Sequence, residues 1–444
     1  MKINNLHISS LNQLKEINFN FTFPNGHPRA GEALDKVCFI GQSGTGKTSL
    51  LKVIGGIIER GFRRKGYAYQ IAVESADKSL RLTVDNSIKG IAVGHIFQNN
   101  SSRNVTNDKL NDEYIKLVQE CNPLIIYMPA NFLSKEIGKS DDINKMEESK
   151  VYSFTSENIQ SIWHKILDDI KKHKSHEIEI RTKIQELSKV SDLPAKAIKD
   201  ILNDLYDELS RLEEVENNPL KKIANECLDI VLSNFKLRVD TKFSVTENLD
   251  TIDFIRIIDK NDNPVPNGVL STGTLQFILS SLPFYLLKPN NTIILFDEPE
   301  RSLYPDIQKM LVNHYNKFTN NSQFFYATHS PIVASCFDPW EVFELKFNNE
   351  GNVYIEQYYE GDRHVNNYKI HPKYLTYELI LKEVFDVKNT DGDDRARLLT
   401  ELIMLEEKLK QFKLDGDNTS DSFKTTMEEY QRIGKLLSWP VKFD

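Results

Sequence analysis

Metal-binding and disulfide-forming cysteine patterns are missing from this 444-residue sequence. Its four cysteines, Cys38, Cys121, Cys227 and Cys336, lie far apart and none belongs to a C-x-x-C pair. They fit neither a disulfide framework nor a zinc site, and a reducing cytoplasm is the expected compartment. Long apolar runs are also missing: none approaches the roughly 20 residues that span a bilayer, so no membrane is expected. The start, Met1-Lys2-Ile3-Asn4-Asn5-Leu6-His7-Ile8, alternates like an edge strand and has no apolar signal-peptide region. Internal repeats and low-complexity tracts are absent too. Excess positive charge is lacking, since the formal net charge is −8. That argues against a surface coated with nucleic acid, while leaving room for a local basic groove. The compact basic cluster Arg60, Arg63, Arg64 and Lys65 could contact nucleic-acid phosphates, although a solvated loop is the commoner meaning of such a run.

What is present is organised around one stretch. Val37-Cys38-Phe39-Ile40 reads as a buried strand, and Gly41-Gln42-Ser43-Gly44-Thr45-Gly46-Lys47-Thr48-Ser49 follows as a glycine-punctuated loop. Thr48 to Ile54 then reads as the opening of a helix. The loop fits G-x-x-x-x-G-K-[ST] in the strand–loop–helix context that gives this motif its meaning. Its glycines let successive N–H groups point into one concavity at a helix N-terminus, where the dipole favours anions. Lys47 is expected to reach the β- and γ-phosphates of a nucleoside triphosphate, and the Thr48 hydroxyl to hold Mg²⁺.

Further along, period-two runs between Tyr67 and Phe97 suggest an antiparallel meander, and Leu124–Met128 reads as a buried strand stopped by Pro129. From Lys145 to Asn234 the character is charged helix. Ile159, Ile162, Trp163, Ile166, Leu167 and Ile170 recur at three- and four-residue spacing, and a second stripe runs from Ile198 to Leu212. This is expected to be a helical insert with a short antiparallel hairpin. Strands are expected at Phe235–Val239, Lys242–Thr246 and Thr251–Asp259, followed by the apolar helix Phe277–Leu287. Beyond Asp362 the chain reads as helical and charged. Its apolar cluster from Tyr374 to Phe385 and its stripe from Leu398 to Leu409 either pack on the preceding domain or form a docking surface.

Two more strands end in chemistry. Asn291–Phe296 is apolar and runs into Asp297-Glu298-Pro299-Glu300. With a phosphate loop already present, Asp297 is expected to orient the water shell of Mg²⁺, and Glu298 to polarise the attacking water. Gln323–Ala327 ends in Thr328-His329-Ser330. A neutral imidazole there can hydrogen-bond the γ-phosphate or its nucleophile, and its pKa suits it to sense phosphate state.

In this order the pieces resemble the ATP-binding cassette (ABC) ATPases, in the soluble branch of the RecF, SMC and OLD-like proteins. Gly41–Thr48 matches the family's Walker A motif, Ile293–Glu298 its Walker B motif with catalytic glutamate, and His329 its switch histidine. Leu270-Ser271-Thr272-Gly273-Thr274 resembles the signature motif, written L-S-x-G. Glu298–Pro305 resembles the D-E-P-E-x-x-L-H-P run of the OLD-like group, with Tyr304 where histidine is usual and residues 300–303 as the D-loop. The resemblance implies an α/β ABC-ATPase head, a P-loop NTPase with an antiparallel β-subdomain, an inserted helical subdomain and a helical C-terminal extension. The implied boundaries are 1–144, 145–234, 235–361 and 362–444. It also implies ATP and Mg²⁺ as cofactors. Two heads would close as a homodimer, with Ser271 and Gly273 completing the site on the opposite copy. The Q-loop ligand has two candidates, Gln98 and the segment Tyr127–Phe132. No TOPRIM-like acidic nuclease module follows His329. The architecture is therefore similar to the nuclease-free ATPases of Septu and Septu-type retron anti-phage systems, which work with a separate HNH nuclease. A RecF-like ATPase acting directly on DNA in recombination or repair is the alternative.

Overall fold

The computed structural model describes residues 1–60, 68–74, 80–88, 91–98, 101–106, 125–130, 151–153, 156–187, 194–242, 255–266, 269–357, 372–385, 387, 391–417 and 419–440. Two compact units emerge, residues 1–375 and 376–444.

The first unit is built on a mixed sheet. Its strands are β1 (Lys2–Leu11), β2 (Leu14–Asn20), β3 (Lys36–Gly41), β4 (Ala68–Glu74), β5 (Leu80–Ile88), β6 (Ile91–Gln98), β7 (Ser101–Thr106), β8 (Ile125–Met128) and β9 (Val151–Ser153). A small separate sheet holds β10 (Leu237–Val239), β11 (Ile257–Asp259) and β12 (Pro264–Val265). The main sheet is completed by β13 (Ile293–Asp297), β14 (Gln323–Ala327), β15 (Val342–Phe347) and β16 (Val353–Gln357). The order in the main sheet is β7-β6-β5-β4-β1-β2-β16-β15-β3-β14-β13-β8-β9. From β15 to β9 neighbouring strands run parallel, whereas β7 to β2 form an antiparallel ladder. This is the α/β P-loop head with an antiparallel part that the motifs led one to expect. One boundary moves: Val151–Ser153, assigned from sequence to the insert, pairs with β8 at the sheet's edge.

Parallel strands buried on both faces need apolar residues at successive positions, and β13 and β14 supply them. Alternate side chains serve opposite faces. Phe325 meets Phe21 and Phe39 on one side, while Phe324 and Tyr326 meet Phe296 on the other. The first cluster gains Phe19 and Phe343; the second gains Phe284 and Tyr315. Each such side chain contributes about 1.5–3 kcal/mol by leaving water, which fixes the strands whose ends carry the motifs.

The insert is helical, with helices Ser156–Leu187 and Ala195–Glu213. Ile162, Trp163, Ile166, Leu167 and Ile170 are buried, as their spacing requires. His173 Nε2 lies 3.1 Å from Leu212 O, and His176 Nε2 lies 3.1 Å from a Glu208 carboxylate oxygen, so the two helices run antiparallel. Residues 235 and 236 are a turn and not the start of a strand, since Lys236 is left-handed. The strands expected within 243–254 lie outside the described residues.

In the second unit, Leu402 and Leu409 of helix Asp393–Leu414 pack with Tyr430, Ile433 and Leu437 of helix Asp421–Leu437. The sequence left this stripe between packing on the preceding domain and docking a partner. Its buried members form a small core of their own.

Candidate nucleotide site

Walker A is shaped by glycine. At Gly41 φ is +136°, and a Cβ there would lie 2.2 Å from the Leu345 carbonyl oxygen on β15. Gly44 and Gly46 are left-handed, at φ +85° and +96°. No other residue adopts such a sequence of angles cheaply. The chain thereby leaves β3 and enters the helix Lys47–Arg60 within five residues, with Gln42, Ser43 and Gly44 exposed at the tip. Lys47 Nζ donates to Gly41 O at 2.9 Å and to Gln42 O at 3.0 Å. Burial lowers the lysine's pKa to about 8, against the pull of Glu298, Asp297 and Glu300.

Asp297 ends β13 directly across from the helix start. Thr48 Oγ1 donates to it and lies 2.9 and 3.0 Å from its two carboxylate oxygens. The Tyr127 hydroxyl, from β8, lies 3.5 Å from Asp297 Oδ2. Burial pushes the Asp297 carboxyl up, Thr48 opposes that, and neighbouring Glu298 adds to it. Such a site gains from a cation. A hydroxyl and a carboxylate, both hard oxygen donors, fit an ion like Mg²⁺, which takes one or two protein oxygens and keeps the rest of its shell for water and phosphate.

β14 lies between β3 and β13 in the sheet, so its C-terminal end falls between the two motifs. Glu298 turns out of β13 in a left-handed conformation, φ +46°, held by its N–H donating to Ala327 O at 2.8 Å. His329 Nε2 lies 3.7 Å from Glu298 Oε1. Burial, followed by the charge of Lys47, lowers the imidazole's pKa, so it is neutral at neutral pH. Carboxylate, neutral imidazole, ammonium and hydroxyl therefore converge at the ends of three adjacent strands.

Ser271 caps the helix Thr272–Leu287, its Oγ accepting from Thr274 N–H at 3.1 Å. Ser271 and Thr272 are exposed, whereas Gly273 is buried. A Cβ at Gly273 would sit 2.1 Å from the Ser302 carbonyl oxygen. Glycine is thus needed at position 273, where the chain at Ser302 crosses the helix start.

Residues 36–335 match the family described as "AAA domain, putative AbiEii toxin, Type IV TA system". The chain belongs to this family. Among curated proteins, none matches it. Similar solved structures include the SMC head domain from Pyrococcus furiosus bound to the C-terminal domain of ScpA. That likeness has 13% identity and a TM-score of 0.36, covering 80% of this chain and 96% of the other. Another is the SMC head domain from Thermotoga maritima, with 11% identity and a TM-score of 0.37, covering 80% and 99%. At TM-scores below 0.5 these likenesses carry no conclusion about this chain.

Within the AAA-domain match, the structure brings Lys47, Thr48, Asp297, Glu298 and His329 together. Gln98 is not brought there. It ends β6, paired with Leu80 and Ser101 in the outer ladder, seven strand positions from β3. Of the two Q-loop candidates, the segment Tyr127–Phe132, which begins within β8, supplies the neighbour of Asp297, through Tyr127. Asn131 and Phe132 of that segment lie outside the described residues, as do Arg63, Arg64 and Lys65 of the basic cluster. Sequence reasoning missed two contributors. Gln13, in the β1–β2 turn, donates to Gly44 O at 2.5 Å, and Phe347 lies 3.9 Å from where a Gly44 Cβ would stand. None carries a local motif, and only the strand order places them. Cys38, Cys227 and Cys336 are free thiols, and among the described residues no helix is long and apolar enough to cross a membrane.

Proposed function

We propose that the chain is a Mg²⁺-dependent ATPase whose ATP-closed homodimer controls a separate effector. The supporting observation is the convergence of Lys47, Thr48, Asp297, Glu298 and His329 at the ends of three neighbouring strands. Lys47 and the Gly41–Ser49 backbone bind the phosphates. Thr48 and Asp297 would hold the metal, which would supply positive charge beside the bound phosphates. Glu298 takes a proton from the attacking water. Neutral His329, beside Glu298, donates to or accepts from the γ-phosphate region according to its tautomer. Ser271, exposed on its helix cap, is offered to the nucleotide of a second copy, where helix dipole and hydroxyl favour phosphate. The family description names a toxin of a type IV toxin–antitoxin system. A toxin–antitoxin system has two components, which supports a partnered system; the role in anti-phage defence and a nuclease of HNH type as effector are proposed from the resemblance to Septu-type ATPases alone.

Mixing Ser271→Arg protein with Lys47→Ala protein tests the two-headed site. Each alone is expected to be inactive, and the mixture to regain hydrolysis through one intact composite site. No recovery in the mixture sinks the dimer. ATP turnover that rises on adding duplex DNA to the chain alone, with no effector retained in a pull-down, would instead favour the RecF-like reading.

A further inference from the structure

Glu300 is used by none of the chemistry above, yet it is 7% exposed and lies in the same turn as Glu298. Its Oε1 accepts from the Thr328 hydroxyl at 2.5 Å and from the His329 N–H at 3.3 Å. Its Oε2 is buried and has no hydrogen-bond partner. Burial pushes the carboxyl's pKa up. For packing alone this is a poor choice, since a buried carboxyl with an unsatisfied oxygen costs stability that an apolar residue would not.

The contacts of Glu300 do not stop at Thr328. Thr328 Oγ1 accepts from Ser330 N–H at 2.9 Å, and Ser330 Oγ donates to Gln308 Oε1 at 2.6 Å. Gln308 Nε2 then donates to Leu303 O at 2.8 Å. The hydrogen bonds thus leave the Walker B turn at Glu300, pass through Thr328-His329-Ser330, and return to the same turn at Leu303. The neighbouring carbonyl, Ser302 O, is the one that abuts Gly273 of the signature helix.

We infer that Glu300 is a positioning residue: it grips the Thr328 hydroxyl and the His329 N–H and so sets the imidazole of His329 against Glu298. This rests on the ATPase reading and deepens it. Glu300 acts through His329 and is not itself the base, because its carboxyl is buried away from solvent, with one oxygen committed to the Thr328–His329 segment. Its effect belongs to turnover and not to nucleotide binding, which Lys47 and the loop glycines provide.

A double-mutant cycle on the full chain tests this. Glu300→Ala is expected to lower kcat by about 10–100-fold, with KM and ATP affinity within about threefold of wild type. Glu300→Ala combined with His329→Ala is expected to be no slower than His329→Ala alone, because the two residues act as one unit. Glu300→Gln is expected to recover most of the rate, since its amide oxygen can accept the same two hydrogen bonds. Multiplicative losses in the cycle, a wild-type kcat for Glu300→Ala, or a Glu300→Gln protein as slow as the alanine variant would each overturn the inference. If thermal melting shows Glu300→Ala unfolded, Thr328→Val replaces it in the cycle with the same expectations. An inactive wild-type chain overturns the ATPase reading, and this inference with it.

Discussion

Two turns meet at the candidate site and are built on opposite principles. The Walker A turn takes its shape from its own residues: three glycines with positive φ, one of them against a backbone oxygen. The Walker B turn contains left-handed residues that are not glycine, Glu298 at φ +46° and Ser302 at φ +64°. Those angles are held from outside, through Ala327 O, Thr328, Gln308 and the signature helix. A strained backbone that persists needs surroundings that over-determine it. The shape of the first turn is therefore written mainly in its own glycines, while the second is coupled to its neighbours and suited to register what happens around it.

The largest expected effect tests what the second turn is for. Glu298→Gln should lower the ATP hydrolysis rate about 10²–10⁴-fold, the usual loss for a positioned general base, while equilibrium ATP binding persists. Turnover at the wild-type rate would remove Glu298 from its role. Next comes the glycine requirement of the first turn. Gly41→Ala places a Cβ on Leu345 O at a left-handed φ, and a loss of about 3 kcal/mol or more in a denaturant titration is expected. An alanine variant as stable as wild type would mean that the Walker A turn does not depend on glycine at position 41.

A pH series separates charge from shape in the same loop. Lys47 has a pKa lowered to about 8 by burial, so its charge is present below that value and lost above it. ATP affinity measured by calorimetry should hold near pH 7 and fall by up to about tenfold per unit above pH 8. Unliganded stability moves the other way. The unfolded lysine binds its proton up to about pH 10.5, so wild type should gain stability relative to Lys47→Met as pH rises from about 8 to 10.5. Parallel trends in the two measurements would contradict the buried ammonium. The smallest effect belongs to Ser302→Gly, which relaxes a left-handed position that tertiary contacts already enforce. Its stability should stay within about 1 kcal/mol of wild type. A large loss would show that the Ser302 side chain, and not its backbone, holds the turn.

The sequence by itself determined the Walker A loop, the apolar strands β3, β13 and β14, and the carboxylate pair at 297 and 298. Each depends on short-range rules: glycine freedom, strand periodicity and a fixed spacing of ligands. The buried face of the long insert helix was legible for the same reason, because helical spacing is local. Tertiary structure decided what those rules do not reach. Gln98 and the segment Tyr127–Phe132 were both candidates for one ligand, and the sheet order separated them, since β8 borders β13 while β6 lies in the outer ladder. Val151–Ser153 joined the sheet because the edge beside β8 offered backbone partners to a stretch too short to announce itself. The stripe at Leu402 and Leu409 was visible, but an apolar face does not name what covers it, and the helix ending at Leu437 does. Glu300 read as one more acid after Walker B. Its two hydrogen bonds to a strand end some thirty residues away, and the low-dielectric site that makes them matter, exist only once β13 and β14 lie side by side.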